Sequence, residues 1–142
     1  MPSMSKRREV AIEVIESYRS WNIERIMAYR TDDCTQLVIP RSLNREPKDN
    51  ASYRKYFASI MPAFQDFQPK IHELVEDEQG NKVMMWVSSK AQSLIGPYGN
   101  EYTILLYFNE DGDKVNKIVE FVDSAYAKDF FTRLGAHMAK MS

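Results

Sequence analysis

The stretch that decides the fold is residues 82–123, KVMMWVSSKAQSLIGPYGNEYTILLYFNEDGDKVNKIVEFVD. Three runs rich in β-branched and aromatic residues, 82–95, 101–109 and 114–123, predict three strands. The segments between them, Gly96-Pro97-Tyr98-Gly99 and Glu110-Asp111-Gly112-Asp113, predict tight turns. Strands joined by such short turns pair in antiparallel fashion, so this half of the chain predicts a meander.

The segment before these strands has a helical pattern. Apolar residues recur at helical spacing in residues 5–20, which predicts a first helix. Asn22 is predicted to cap a short second helix. The polar segment 31–33 then reads as a turn, and 34–39 as a short strand that ends at Pro40.

A third helix and a fourth long strand complete the pattern. Asn50 is predicted to cap a helix that stops at Pro62, and residues 67–77 predict the first long strand. Ser124 is predicted to cap a terminal helix. The sequence therefore predicts one α+β domain over residues 1–142, with a mostly antiparallel sheet.

The central strands carry apolar residues on both faces. Val83-Met84-Met85-Trp86-Val87 and residues 102–108 show little alternation between apolar and polar positions. An antiparallel sheet normally exposes one face to water. Since the helices can cover only one face here, we expect a second copy of the protein to cover the other, which predicts a homodimer.

Composition excludes several classes of partner. The 142 residues include 19 Lys and Arg against 20 Asp and Glu, a formal net charge of -1, whereas a nucleic-acid or membrane surface requires a basic excess. No apolar run approaches the roughly 20 residues of a spanning helix, and no secretory signal is visible. We therefore expect no nucleic-acid or membrane partner and a cytoplasmic location.

The sequence also lacks the common catalytic and metal-binding signatures. The single Cys34 excludes an internal disulfide, and the two histidines, His72 and His137, are far apart. There is no G-x-S-x-G, H-E-x-x-H or phosphate-binding glycine loop. We therefore expect no metal and no cofactor, and proton transfer by carboxylate, His, Tyr and Arg side chains remains the available chemistry.

Three segments carry a resemblance to a known family. They are Tyr29-Arg30-Thr31-Asp32-Asp33-Cys34, then residues 96–102, and then the hairpin from Asn109 that runs to Glu120-Phe121-Val122-Asp123-Ser124. With this order of elements, the chain resembles the SnoaL-like branch of the NTF2-like superfamily. The resemblance implies an NTF2-like cone, in which a curved sheet wraps around the N-terminal helices. It is also similar to small fungal isomerases and cyclases of meroterpenoid and polyketide biosynthesis.

Three residues are the candidate catalytic groups. The resemblance places an acid/base Asp at the end of the last strand, which points to Asp123, although Asp123 could instead cap the terminal helix. His72 is the His within the sheet and could move protons at physiological pH, or could be a hydrogen-bonded structural residue. Arg41 could bind a carboxylate or enolate oxygen, or be a solvated loop charge. We expect Asp123 and His72 to enter one cavity.

A second set of residues is expected to bind the substrate. By strand parity Glu120 faces the side opposite to Asp123, so only one of the two is expected in the cavity. Tyr18 is a possible oxyanion donor. Core packing is the alternative for the apolar members of the set. The predicted substrate-binding residues are Trp86, Ser88, Tyr102, Met61, Phe64 and Glu120.

These observations favour an enzyme but leave other functions open. The favoured function is a cofactor-independent isomerase or cyclase that acts by acid/base chemistry on a bulky apolar polycyclic metabolite. The alternative is a non-catalytic module of the same fold for small-ligand binding or dimerisation. A cavity with an apolar lining but without Asp123 and His72 would favour that alternative. A protein-docking surface would instead require an exposed apolar patch outside the cone.

Overall fold

Four α-helices and five strands make up residues 4–141, the part of the chain that the computed structural model describes. The helices are α1 (Lys6–Ser17), α2 (Ile23–Met27), α3 (Asn50–Ile60) and α4 (Ser124–Met141). The strands are β1 (Arg30–Ile39), β2 (Phe64–Asp77), β3 (Lys82–Ser93), β4 (Gly96–Phe108) and β5 (Val115–Val122). The predicted α+β class and the NTF2-like cone are confirmed.

The five strands form one curved sheet in the order β1-β5-β4-β3-β2. All neighbouring strands are antiparallel except β1 and β5, which are parallel. In the parallel pair, Val38 lies opposite Glu120. The long crossover between β1 and β5 therefore brings the first strand of the chain beside the last.

The two faces of the sheet differ in what covers them. Along β3, Val83, Met85 and Val87 are buried, whereas Met84 and Trp86 are exposed. The buried side, which we call the inner face, packs against the helices. Its core includes buried residues of α1, and a second cluster joins the sheet to α4. The exposed side is the outer face, where Met84 and Trp86 are 43% and 46% exposed.

Two of the predicted helix caps lie one residue away from their expected positions. The side chain of Asp49, and not that of Asn50, accepts the capping hydrogen bond at the start of α3, from the backbone N–H of Ser52. Asn50 instead donates its side-chain amide to the carbonyl of Thr31, at 2.8 Å. At the start of α4, Asp123 Oδ1 accepts from the Tyr126 N–H at 3.3 Å. Adjacent Asp, Asn and Ser residues can all cap a helix, so composition alone does not select among them.

Two predicted turns lie inside strands. The segment Thr31-Asp32-Asp33 belongs to β1, where an irregularity in the pairing with β5 lets the two acidic side chains remain exposed. Gly96-Pro97-Tyr98-Gly99 begins β4, and the hairpin turn is Leu94-Ile95, because Ser93 pairs with Gly96. Gly96 has a φ of 107°, a conformation that favours glycine, at the point where the chain leaves this turn.

Within residues 4–141, no helix combines the length and the apolar character needed to cross a membrane.

Candidate active site

A cavity of about 180 Å³ lies between the inner face of the sheet and the helices. Ten aromatic side chains line it, together with aliphatic residues of the sheet and of α1. Trp21 stacks on Phe67 with ring centroids 4.8 Å apart, and Phe57 and Phe64 meet Trp21 edge-on. The lining also includes a more polar group of exposed and half-exposed residues, which we take as the mouth of the cavity: Leu43, Arg45, Glu46, Lys48 and Tyr56.

Glu120 projects from β5 into this cavity. Its Oε1 accepts a hydrogen bond from Nε2 of Gln36, whose own Oε1 accepts one from Nη2 of Arg30. Burial raises the pKa of the Glu120 carboxyl, and the Gln36 hydrogen bond and the charges of Arg30 and Arg45 oppose this rise without cancelling it. Glu120 is therefore a carboxyl that can hold or release a proton within an apolar enclosure.

Four tyrosine hydroxyls surround the same space. The hydroxyls of Tyr18 and Tyr53 are 2.6 Å apart. On the opposite side, the Tyr102 hydroxyl lies 3.2 Å from that of Tyr98 and 2.8 Å from the Ser89 hydroxyl. Burial raises the pKa of all four tyrosines, and the nearby charge of Glu120 adds to the rise in each. The phenols therefore stay protonated near neutral pH and can donate hydrogen bonds.

This arrangement can move a proton and stabilise the charge that results. A carboxylate in an apolar site can remove a proton from a carbon beside a carbonyl group. The carbonyl oxygen then becomes an enolate, which hydrogen bonds from phenols stabilise. Within residues 4–141 there is no group of three His, Cys, Asp or Glu side chains that could hold a metal ion.

The buried carboxyl gives the protein an expected pH dependence of stability. Because the folded state raises the pKa of Glu120, the folded protein retains this proton at pH values where the unfolded chain, with a pKa near 4.5, has lost it. The contribution of Glu120 to the free energy of unfolding is thus full below pH 4.5 and decreases as the pH rises through the folded pKa. We expect the Tm of Glu120→Gln to match that of the wild type at pH 4 and to exceed it at pH 8.

Thermal unfolding followed by circular dichroism at both pH values measures this difference. The exposed Glu73 on β2 offers a matched control, since Glu73→Gln is expected to leave the difference between the two pH values unchanged. If the Tm difference between Glu120→Gln and the wild type is the same at pH 4 and pH 8, ionising the Glu120 carboxyl in the folded protein costs little free energy.

The cavity contains three of the residues predicted to bind the substrate. Glu120, Tyr102 and Phe64 all line it. Tyr18, considered as an oxyanion donor, lines it as well. The prediction that only one of Glu120 and Asp123 enters the cavity agrees with the structure, since Asp123 is exposed. A role for any of these residues in binding or catalysis stays a prediction.

The expected meeting of Asp123 and His72 in one cavity is not found. Asp123 caps α4 at the surface. His72 is exposed on the outer face, where it stacks on Trp86 at 4.5 Å and its Nε2 lies 2.7 Å from the Ser88 hydroxyl. The strand pairing shifts by one residue between Ile71 and Glu73. Because of this bulge, His72 and Glu73 are both exposed, whereas Ile71 and Leu74 on either side of them pack against the core.

Four other predicted site residues lie outside the cavity. Arg41 is an exposed loop residue. Trp86 and Ser88 share one face as predicted, but it is the outer one, and Trp86 donates its indole N–H to Glu101 Oε2 at 2.6 Å. Met61 packs beside α3, and its carbonyl accepts the indole N–H of Trp21. Direct roles for Asp123, His72 and Arg41 in catalysis stay predictions without support from the geometry of the cavity.

Sequence reasoning missed the polar residues that accompany Glu120. Gln36 directly precedes the apolar run Leu37-Val38-Ile39 in the predicted strand, and an amide at this position was the available signal. Tyr53 recurs with Phe57 and Ile60 at helical spacing in the third helix, a pattern that indicates core packing and gives no sign of a hydrogen-bonding role. Arg30 was quoted only as part of a motif, although an Arg at the start of a buried strand requires polar partners.

No protein-family model matches the chain as a whole or in part. The chain is 31% identical over 140 residues to a protein named monooxygenase nsrQ from Aspergillus novofumigatus, and the alignment covers 98% of this chain and 93% of that protein. Among solved structures, BvnE pinacolase from Penicillium brevicompactum matches with a TM-score of 0.88 at 28% identity, over 94% of this chain and 96% of BvnE. PrhC from Penicillium brasilianum matches with a TM-score of 0.84 at 26% identity, over 95% and 93% of the two chains.

Proposed function

Because the chain belongs to the SnoaL-like branch of the NTF2-like superfamily, among fungal biosynthetic proteins of that fold, we propose that it is an enzyme in which Glu120 moves a proton within a bulky apolar metabolite. The observation that carries this proposal is the buried carboxyl of Glu120 in an aromatic cavity. The favoured reaction is an isomerisation or cyclisation that needs no cofactor.

The proposed reaction uses the residues of the cavity in two roles. The ionised Glu120 takes a proton from a carbon beside a substrate carbonyl, and the tyrosine hydroxyls hold the resulting enolate oxygen. Glu120 then returns the proton to a different carbon, or the enolate carbon attacks a second carbonyl carbon of the substrate, whose C=O π bond breaks and whose oxygen takes the proton from Glu120. Either outcome conserves the atoms of the substrate, so the step requires no oxidant or reductant.

The size of the cavity limits how the substrate lies. A volume of about 180 Å³ is below the roughly 300–1,000 Å³ of sites that enclose drug-sized ligands. A polycyclic meroterpenoid or polyketide would therefore place its reacting ring inside and extend through the mouth past Leu43 and Tyr56. The aromatic wall formed by Trp21, Phe57 and Phe64 suits a flat apolar ring.

The 31% identical relative carries the name monooxygenase, and this favours oxygenation as a second candidate function. Removal of a proton by Glu120 would begin that reaction too, since an electron-rich enolate or phenolate is the form that reacts with O₂. The two functions differ in the product. When the substrate is converted under ¹⁸O₂, the product of an oxygenation contains ¹⁸O, whereas the product of an isomerisation does not.

Deuterium exchange tests whether the site moves protons at all. A set of polycyclic ketones, with 1-tetralone as the smallest, is incubated with the protein in ²H₂O and analysed by mass spectrometry. We expect the wild type to accelerate deuterium uptake beside the carbonyl and Glu120→Gln to abolish the acceleration.

The alternative is a protein that binds a small ligand without converting it, and the absence of Asp123 and His72 from the cavity favours this alternative. Binding seen by Trp21 fluorescence, with exchange no faster than in buffer, would favour that alternative.

A further inference from the structure

We propose that Arg30 is a positioning residue that sets the charge state and the orientation of Glu120 through the side-chain amide of Gln36. The inference rests on the proposed function, in which Glu120 moves the proton. It assigns a role to two residues of β1: Gln36, which lines the cavity, and Arg30, which lies behind that lining.

Arg30 is buried, and it forms no ion pair with a carboxylate within residues 4–141. It is 9% exposed, and its guanidinium carbon lies 4.1 Å from the centre of the Tyr53 ring. Nη2 donates to Gln36, whereas Nη1 has no hydrogen-bond partner among the described residues. Burying a cation without an ion-pair partner is costly, and a purely structural site would be cheaper with an apolar side chain.

The guanidinium fixes which way the Gln36 amide points. An Arg side chain has only donors, so the atom of Gln36 that faces it must be the amide oxygen. The amide NH₂ then faces Glu120 and donates to Oε1. Reversing the amide would set two donors against each other at Arg30 and two acceptors against each other at Glu120. Hydrogen-bond donation therefore has one favourable direction, from Arg30 through Gln36 to Glu120.

This direction leaves one oxygen of Glu120 for the substrate. Gln36 occupies Oε1, and no described side chain hydrogen-bonds to Oε2. An amide NH₂ bonds more strongly to a carboxylate than to a carboxylic acid, and the positive charge of Arg30 acts in the same sense. Both effects favour the ionised form that a general base requires, against the opposing effect of burial.

Several other groups face Glu120 and act on its charge. They are Arg45 from the loop after β1, Tyr18 after α1, Tyr53 from α3, and Tyr98 and Tyr102 from β4. Arg45 also favours ionisation, so removal of Arg30 or Gln36 should weaken the ionised form without eliminating it.

Titration of the Glu120 carboxyl tests the inference without any substrate. The protein is labelled with glutamate carrying ¹³C at the side-chain carboxyl, and the Glu120 signal is identified by its loss in Glu120→Gln. We expect Gln36→Met and Arg30→Met each to raise the pKa of Glu120 by about one pH unit, the size expected for losing a hydrogen bond to a charged group. Where exchange activity is measurable, the limb of its pH profile that reports Glu120 should move by the same amount.

Matched variants separate this effect from general perturbation. Gln92→Met and Arg54→Met make the same substitutions at positions outside the cavity and are expected to leave the Glu120 titration unchanged. Since Arg30→Met also loses its contact with Tyr53 and can destabilise the fold, Gln36→Met carries the test alone if the Arg30 variant does not fold. A folded Gln36→Met protein with an unchanged Glu120 titration overturns the inference, whereas loss of exchange activity alone bears only on the proposed function.

Discussion

Exchanging Glu120 for Gln is expected to lower the rate of ketone exchange by about 10²–10⁴-fold, the usual contribution of a general acid or base. Gln has nearly the same shape as Glu and can still accept the hydrogen bond from Gln36 Nε2. It cannot take up a proton at neutral pH. The substitution therefore removes the proposed chemistry while it preserves the cavity and its aromatic wall.

The control for this substitution lies three residues along the chain. Asp123→Asn makes the same change from carboxylate to amide, and Asn caps a helix as well as Asp does. Because Asp123 is exposed and caps α4, we expect Asp123→Asn to retain full activity and stability. If Glu120→Gln is active and Asp123→Asn is inactive, the acid/base residue is Asp123, at the strand end to which the family resemblance points.

Placing lysines on the outer face is expected to convert a homodimer into a monomer. Two rows of side chains cross this face from strand to strand: Met84, Leu105 and Val119 form one, and Trp86, Thr103 and Phe121 form the other. Trp86 is 46% exposed and Phe121 51% exposed. Such a contiguous apolar patch is a typical interaction surface, and a second copy of the chain is the partner that we propose.

The double variant Met84→Lys with Phe121→Lys buries two charges in that proposed interface. Loss of one central apolar contact typically costs 2 kcal/mol or more, so we expect the dissociation constant to rise by at least about 30-fold. Sedimentation at micromolar concentration measures the change in mass. Gln79→Lys, in the turn between β2 and β3, is the control and should stay dimeric. A wild-type mass near 16.6 kDa would contradict the proposed dimer at the outset.

The fold could be predicted from the sequence to a large extent, because periodicity and turn residues record local structure. The helical spacing in α1 and the strands on either side of the Gly112 turn follow directly from the residue pattern. The relation between Glu120 and Asp123 also followed from parity, because β5 is regular between Glu120 and Val122.

The site was harder to predict for two physical reasons. Where both faces of a strand are apolar, as in β3, parity shows that Trp86 and Val87 point apart but does not show which of them faces inward. Which of the two side chains is buried depends on which face of the sheet the helices pack against. The bulge at His72 reverses parity through a one-residue shift in the pairing of β2 with β3, and no residue type marks it in the sequence.

The parallel pairing of β1 with β5 has a consequence for how the protein is made. Gln36 and Glu120 are 84 residues apart in the chain, and they meet only when the last strand has joined the first. A ribosome-bound chain that ends before β5 lacks Glu120, and its β1 has no strand to pair with, because β5 lies between β1 and β4 in the sheet. The cavity therefore closes and gains its carboxyl in the same step, when the last strand of the chain has been made.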